Sequence, residues 1–341
     1  GFLRRLMERG AKAIRLDAFA YTTKKPGTSC FFIEPDVWEF LRFADDEVRP
    51  AGGILLPEVH EHYTMQKKIA EKGYHVYDFA LPMLLLQAHY DGSAANLKHW
   101  LSVCPRSQFT TLDTHDGIGV VDVYGLMTDE ELERTKENVY SRGANVKRIY
   151  NTAKYANLDV YQINCTYYSA LGENDDAYLL ARAVQFFTPG IPQVYYVGLL
   201  AGRNDIELVE ETKVGRNINR HSYSLAEVEE EVQRPVVQRL FELMEFRNNE
   251  EAFDGTYELL ESPGHVLRVR WSNPHAAGDQ GCGRVAAGGG HGRGRAVDGG
   301  HGRGRVAELE ADFDRTAFTI RAGSIDEAAR GELGTVFAVG S

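Results

Sequence analysis

Three short apolar runs lead into acidic residues that could share one reaction: Ala13-Ile14-Arg15-Leu16 into Asp17, Ile54-Leu55-Leu56-Pro57 into Glu58, and Phe109 to Leu112 into Asp113-Thr114-His115-Asp116. A parallel strand delivers the residue at its carboxyl end to the edge of the sheet, where barrel enzymes hold their ligands. Acids delivered three times over point to sugar-bond chemistry. Retaining glycosyl transfer needs a carboxylate nucleophile and a second carboxyl group that alternates as acid and base, held ~5 to 5.5 Å apart. Arg15 precedes Asp17 by two residues, so on an extended strand both side chains share a face and the cation favours the ionised acid. Taken singly, each acid is more often a helix cap or a surface ion pair. The recurrence is what carries the signal.

Glu58, His60 and His62 alternate, and an extended backbone would present all three on one side as metal ligands. No further ligand cluster completes a coordination shell, so no metal is expected. A Gly-x-x-x-x-Gly-Lys phosphate loop is also missing from the sequence, which removes the usual nucleotide cradle. The four cysteines, Cys30, Cys104, Cys165 and Cys282, stand far apart without a Cys-x-x-Cys pair. That spacing suits neither a zinc knuckle nor a disulfide framework and fits a reducing cytoplasm. A net charge of -11 argues against nucleic acid or a membrane surface as partner. No run approaches the ~18 apolar residues of a spanning helix.

The elements that must position these acids alternate. Helical spacing over Phe2 to Glu8 closes at Gly10, and a strand then runs to Asp17. Helix Asp36 to Glu47, the strand ending at Glu58, a helix from Tyr63 to Glu71 and a strand over Val76 to Ala80 follow. Leu84 to Val103 reads as helix broken at Gly92, and Phe109 to Asp113 as strand. The rhythm loosens over 118–172, with a helix near Asp129 to Tyr140, and resumes with helix Asp175 to Phe187, strand Gln193 to Val197 and helix Leu225 to Arg247 interrupted at Pro235. Such alternation is the signature of βαβ units around a parallel sheet. From Phe253 on, period-2 segments (Tyr257 to Glu261, Val266 to Trp271, Ala307 to Ala311, Ala317 to Arg321) predict a small antiparallel β domain. The Gly- and Arg-rich stretch 283–305, with His-Gly-Arg-Gly-Arg at His291 and His301, reads as an insertion too poor in apolar residues to pack.

The segments Arg15 to Tyr21, Pro57 to Tyr63, Thr110 to Gly119 (TTLDTHDGIG), Asp159 to Asn164, Phe187 to Tyr196 and Gly215 to His221 resemble the sucrose phosphorylase group of the α-amylase clan. The resemblance runs nearly without a break from Gly10 to Phe253. It implies an α/β fold: an incomplete (β/α)8 TIM barrel, strands 4 to 8, followed by a C-terminal antiparallel β domain. The chain would then be a piece of a longer protein, divided into 1–117 (catalytic part of the barrel), 118–172 (acceptor-side excursion), 173–252 (closing part) and 253–341 (β domain).

The resemblance also implies roles. Asp17 becomes the nucleophile, Glu58 the acid and base, and Asp116 the carboxylate that steadies the transition state. Arg15 and His115 attend the sugar, His60 helps bind phosphate, Asp159, Tyr161 and Gln162 belong to an acceptor-side loop, and Arg216 lies at the bound glucosyl unit. Sucrose and inorganic phosphate are the expected partners and no cofactor is required. Nucleic acid and membrane are not expected, and a homodimer is left open as the assembly. Asn217 and Val160 depart from residues frequent in the group on the acceptor side. They leave open whether the leaving group comes from sucrose, sucrose 6'-phosphate or a glucosylglycerol-type compound. An α-glucoside hydrolase and an inactive carbohydrate-binding fragment are the remaining alternatives.

Overall fold

The computed structural model describes residues 1–144, 162–276 and 304–340. Asp159, Tyr161 and nearly all of the Gly- and Arg-rich insertion lie outside the described residues.

Five short strands pair in parallel as two small sheets: β1 (Ala13–Leu16), β2 (Ile54–Pro57), β3 (Val76–Asp78), β4 (Gln108–Thr110) and β7 (Ile191–Pro192). β1 pairs with β2, and β4 pairs with both β3 and β7. Between β4 and β7 the chain makes a small antiparallel ribbon of β5 (Ile118–Gly119) and β6 (Gln162–Ile163). Helices connect the strands as the apolar spacing demands. Leu81–Asp91 is buried from Leu81 to Ala88, with Pro82 in its first turn, where no backbone donor is lost, and ends at Gly92 in the left-handed conformation. Asp129–Ser141 begins with a reciprocal cap between Thr128 and Glu131.

The second sheet is antiparallel, in the order β12-β11-β10-β9-β8, with β8 (Thr256–Leu260), β9 (Val266–Asn273), β10 (Arg305–Asp312), β11 (Ala317–Ser324) and β12 (Gly334–Val339). Its period-2 pattern sorts the faces. Ala307, Leu309 and Ala311 are buried, while Glu308 and Glu310 lie opposite Arg270 and Arg268 and pair with them. Trp271 donates its indole N–H to the Phe187 carbonyl at 2.8 Å, fastening the sheet to helix Asp175–Phe187. One apolar cluster runs through both parts, from Leu84 and Trp100 to Leu309 and Ile320.

The expected elements recur with local differences. The strand predicted over Gln193 to Val197 is instead β7, two residues earlier, followed by a helical turn, Tyr196–Leu199. Gln193 makes the last ladder bond, N–H to the Thr110 carbonyl at 2.8 Å. The turn then lays Gly198 against a buried ion pair, where a Cβ would fall 1.9 Å from Asp113. Helix Ile206–Thr212, helix Ile325–Arg330 and β12 were not anticipated. No helix among the described residues is long and apolar enough to cross a membrane.

Candidate active site

The site grows from the carboxyl ends of β1 and β2. Glu58 N–H donates to the Leu16 carbonyl at 3.0 Å and Phe19 N–H to the Glu58 carbonyl at 3.2 Å, so the two strand ends are stitched together. Between those bonds Ala18 takes a left-handed backbone, φ 46°. Its N–H then reaches Glu58 Oε2 at 2.9 Å. Asp17 and Glu58 each lie one residue beyond a strand, as the sequence pattern requires.

Arg15 bridges the two acids. Its Nη1 lies 2.6 Å from Asp17 Oδ1 and its Nη2 2.7 Å from Glu58 Oε1. The Arg15 hydrogen bond holds the Asp17 carboxyl below the usual carboxylate range. The two acids differ in setting: the Asp17 side chain is 74% exposed to the cleft and that of Glu58 only 10%. An open, ionised carboxylate beside a sheltered carboxyl group is the division of labour that nucleophile and proton carrier require.

Asp116 closes the group from the loop after β4. Asn219 donates to the carbonyls of Thr114 and Asp116 at 3.0 and 2.8 Å and fixes that loop. The carboxylate lies 3.4 Å from Arg220, 4.0 Å from Arg216 and 3.5 Å from His115. One oxygen or nitrogen each from Glu58, His60 and Asp116 fall within 4.8 Å of one another. Asp113, at the end of the same apolar run, is not on this rim: it is buried and pairs with the buried Arg182 at 2.6 Å.

His60 stacks on Phe79 with ring centroids 3.8 Å apart, its Nε2 3.7 Å from Glu58 Oε1 and its Nδ1 3.8 Å from Asp122 Oδ2. Burial works against a charge on this ring, but Asp122, Glu58 and Asp116 outweigh it and raise the His60 pKa. Gln162, at the start of β6, sets its Nε2 3.3 Å from His60 Nε2 and accepts from Gly117 N–H at 3.1 Å. The alternating trio Glu58, His60, His62 does not assemble. His62 caps helix Tyr63–Glu71, accepting from Thr64 N–H at 3.3 Å.

A cleft of about 870 Å³ opens over these groups, within the range of small-molecule sites. Asp17, Glu58, His60, His115, Asp116, Gln162 and Arg216, all expected from the sequence, line it. Tyr21 and Phe31, packed edge to face at 5.1 Å, form an aromatic wall suited to a sugar face. Arg15 lies in an adjoining hollow of about 340 Å³ that shares Glu58 and His115 with the cleft. Arg220, Asn219 and Asp122 were missed. Asp122 had a signal: an acid inside the apolar run Val120 to Val123.

The fold is that of α-amylase-clan barrels with a C-terminal antiparallel sheet. An α-amylase from H. orenii superposes with a TM-score of 0.53 at 12% identity, covering 93% of this chain and 54% of that one. Within that clan the likeness is much closer to one group. The sucrose phosphorylase of Streptococcus mutans is 57% identical over 266 residues, 77% of this chain and 55% of the relative. A solved structure, sucrose 6F-phosphate phosphorylase from Thermoanaerobacter thermosaccharolyticum, matches with a TM-score of 0.81 at 41% identity over 99% of this chain and 62% of that one. No family model matches the chain. The chain belongs to the sucrose phosphorylase group of the α-amylase clan. It spans about half the length of the curated relative it matches.

Proposed function

We propose that the protein transfers glucose from sucrose to inorganic phosphate with retained configuration, giving α-glucose 1-phosphate and fructose. The observation that carries this reading is the single guanidinium of Arg15 bridging Asp17 and Glu58 at the ends of adjacent strands. Asp17 attacks the anomeric carbon while Glu58 protonates the departing fructosyl oxygen. The C–O bond of the donor breaks and a glucosyl ester on Asp17 forms. Glu58, now ionised, takes the proton of the incoming phosphate, whose oxygen displaces Asp17. Asp116, steadied by Arg216, Arg220 and His115, offers negative charge to the oxocarbenium-like transition state. Asp159, Tyr161 and Gln162 serve the acceptor side, and His60 receives the phosphate.

In this reading the five parallel strands are strands 4 to 8 of a (β/α)8 barrel, and 118–172 is an acceptor-side excursion. The reaction needs no cofactor, and the scattered thiols suit the cytoplasm. The relative of solved structure is a sucrose 6F-phosphate phosphorylase, which favours sucrose 6'-phosphate as the second candidate donor. Product analysis on the protein expressed from its complete reading frame tests the proposal. Glucose 1-phosphate that forms from sucrose only when phosphate is present supports it. Free glucose alone points to a hydrolase, turnover of the 6'-phosphate alone to the second donor, and no turnover of any donor refutes it.

A further inference from the structure

Behind His60 the fold buries an acid for which the catalytic scheme above has no use. Asp122 is 0% exposed, on the short turn Val121–Val123. Gln66, itself buried, donates to Oδ1 at 3.2 Å. Oδ2 has no hydrogen-bond donor of its own among the described residues and faces His60 Nδ1 at 3.8 Å. Space for it is reserved by Gly119, where a Cβ would fall 2.2 Å from Oδ2. A buried carboxylate is costly unless a partner offsets its lost hydration. The imidazole is the group placed to do so.

The other sides of the ring are occupied. Phe79 stacks on its face, and Gln162 Nε2 and Glu58 Oε1 stand at Nε2. The Gln162 amide is oriented by the N–H of Gly117, so it offers a donor, not an acceptor, to Nε2. With Nε2 accepting there, the proton of the neutral ring belongs on Nδ1, toward Asp122.

We infer that Asp122 is a positioning residue of the acceptor site, keeping a proton on His60 Nδ1 in every state so that Nε2, beside Glu58 and Gln162, is the nitrogen that takes a second proton and presents it to an oxyanion acceptor. The inference rests on the phosphorylase reading of the same cleft and deepens it. The acceptor served is inorganic phosphate, a small multiply charged oxyanion that the cleft's carboxylates would otherwise repel. Asp122, Glu58 and Asp116 are the acids that favour the doubly protonated ring, and burial is the opposing influence.

The experiment uses protein labelled with 15N-histidine, the His60 signals assigned by their loss in His60→Gln. The expected parent spectrum shows the Nδ1–H tautomer at high pH and a pKa above the ordinary histidine value. In Asp122→Asn the amide would present N–H to Nδ1, so the tautomer is expected to switch to Nε2–H and the pKa to fall. The KM for phosphate should rise about tenfold, the scale of one lost charge-assisted hydrogen bond, with the KM for sucrose changed less than about twofold. An unchanged tautomer in Asp122→Asn, or equal rises in both KM values, overturns the inference. If that variant does not fold, an Nε2–H tautomer in the parent protein overturns it and an Nδ1–H tautomer supports it. A parent that makes no glucose 1-phosphate refutes the phosphorylase reading, while the tautomer pattern still decides whether Asp122 holds the Nδ1 proton.

Discussion

Ala18 donates its backbone N–H to Glu58 Oε2 at 2.9 Å, so the turn that follows Asp17 also aims the acid on the neighbouring strand. The two carboxyl groups are thereby set as one unit with separate tasks, the bond to the sugar for Asp17 and the proton for Glu58. Glu58→Gln is expected to slow transfer from sucrose by about 10²- to 10⁴-fold, the usual worth of a general acid. Glucosylation by α-glucosyl fluoride, whose leaving group needs no proton, should be largely spared. Pre-steady-state release of fructose against fluoride checks this, and equal loss with both donors would remove Glu58 from the role.

Arg15 carries the next expectation. Its hydrogen bond holds Asp17 below the usual carboxylate range, and Asp17 must be ionised to attack. A depressed pKa keeps the nucleophile active as pH falls, so Arg15→Gln should move the acid limb of the glucosylation rate to higher pH. A profile of kcat/KM for α-glucosyl fluoride reads that limb. An acid limb unmoved by the substitution would mean that Arg15 serves only to orient.

The strand-end pattern made Asp17 and Glu58 legible because each stands one residue past a strand, whereas Asp116, on the loop after β4, was legible only through the resemblance of the whole stretch TTLDTHDGIG. Arg15 was legible as the strand-end acids were, two residues from its partner. Arg220 and Asn219 were not, since they reach Asp116 across 104 and 103 residues and no local spacing encodes that meeting. Asp113 shows the limit of the strand-end pattern: it follows its apolar run as Asp17 and Glu58 follow theirs, but it is buried against Arg182 of helix Asp175–Phe187 and stays off the cleft. The longer helices were readable from their period, Tyr63–Glu71 and Asp175–Phe187 among them, while the short Ile206–Thr212 and Ile325–Arg330 were not. β7 was displaced because a two-residue strand ending in Pro192 has no periodicity to read. His62 departed from its alternation with Glu58 and His60 because a helix cap intervened.

The Asp113 and Arg182 pair also predicts a stability pattern. Both side chains are almost wholly buried and 2.6 Å apart. Arg182→Met leaves a buried carboxylate without its cation, and a loss of about 3 to 5 kcal/mol is expected in urea unfolding. Arg182→Met combined with Asp113→Leu should lose less than the single change. A double variant as unstable as the sum of its parts would show no coupling between the two side chains and contradict mutual neutralisation.

Asp78 sets a pH dependence. Burial pushes its carboxyl up to about 6, even though Trp100 Nε1 donates to both oxygens at 3.1 and 3.0 Å and Leu81 N–H to Oδ1 at 3.0 Å. A raised pKa means that the folded state binds the proton more tightly than the unfolded chain. The contribution of Asp78 to stability is therefore present below pH ~4 and lost as pH rises to ~6, with a span of about 3 kcal/mol. Asp78→Asn keeps an acceptor for Trp100 and should flatten that part of the curve. Unfolding free energies measured from pH 4 to pH 7 on both proteins check the sign.

The central claim is a glucosyl ester on Asp17. The direct measurement is mass spectrometry of peptides from Glu58→Gln protein quenched during turnover of α-glucosyl fluoride in the absence of phosphate. The account predicts one hexosyl unit on the peptide that carries Asp17, discharged by added azide as α-glucosyl azide, because a small anion needs no help from a base and displaces the β-linked ester of Asp17 from the opposite face, which restores the donor's configuration. A hexosyl unit on any other residue, or turnover without a trapped ester and with inverted stereochemistry in the parent protein, would contradict it.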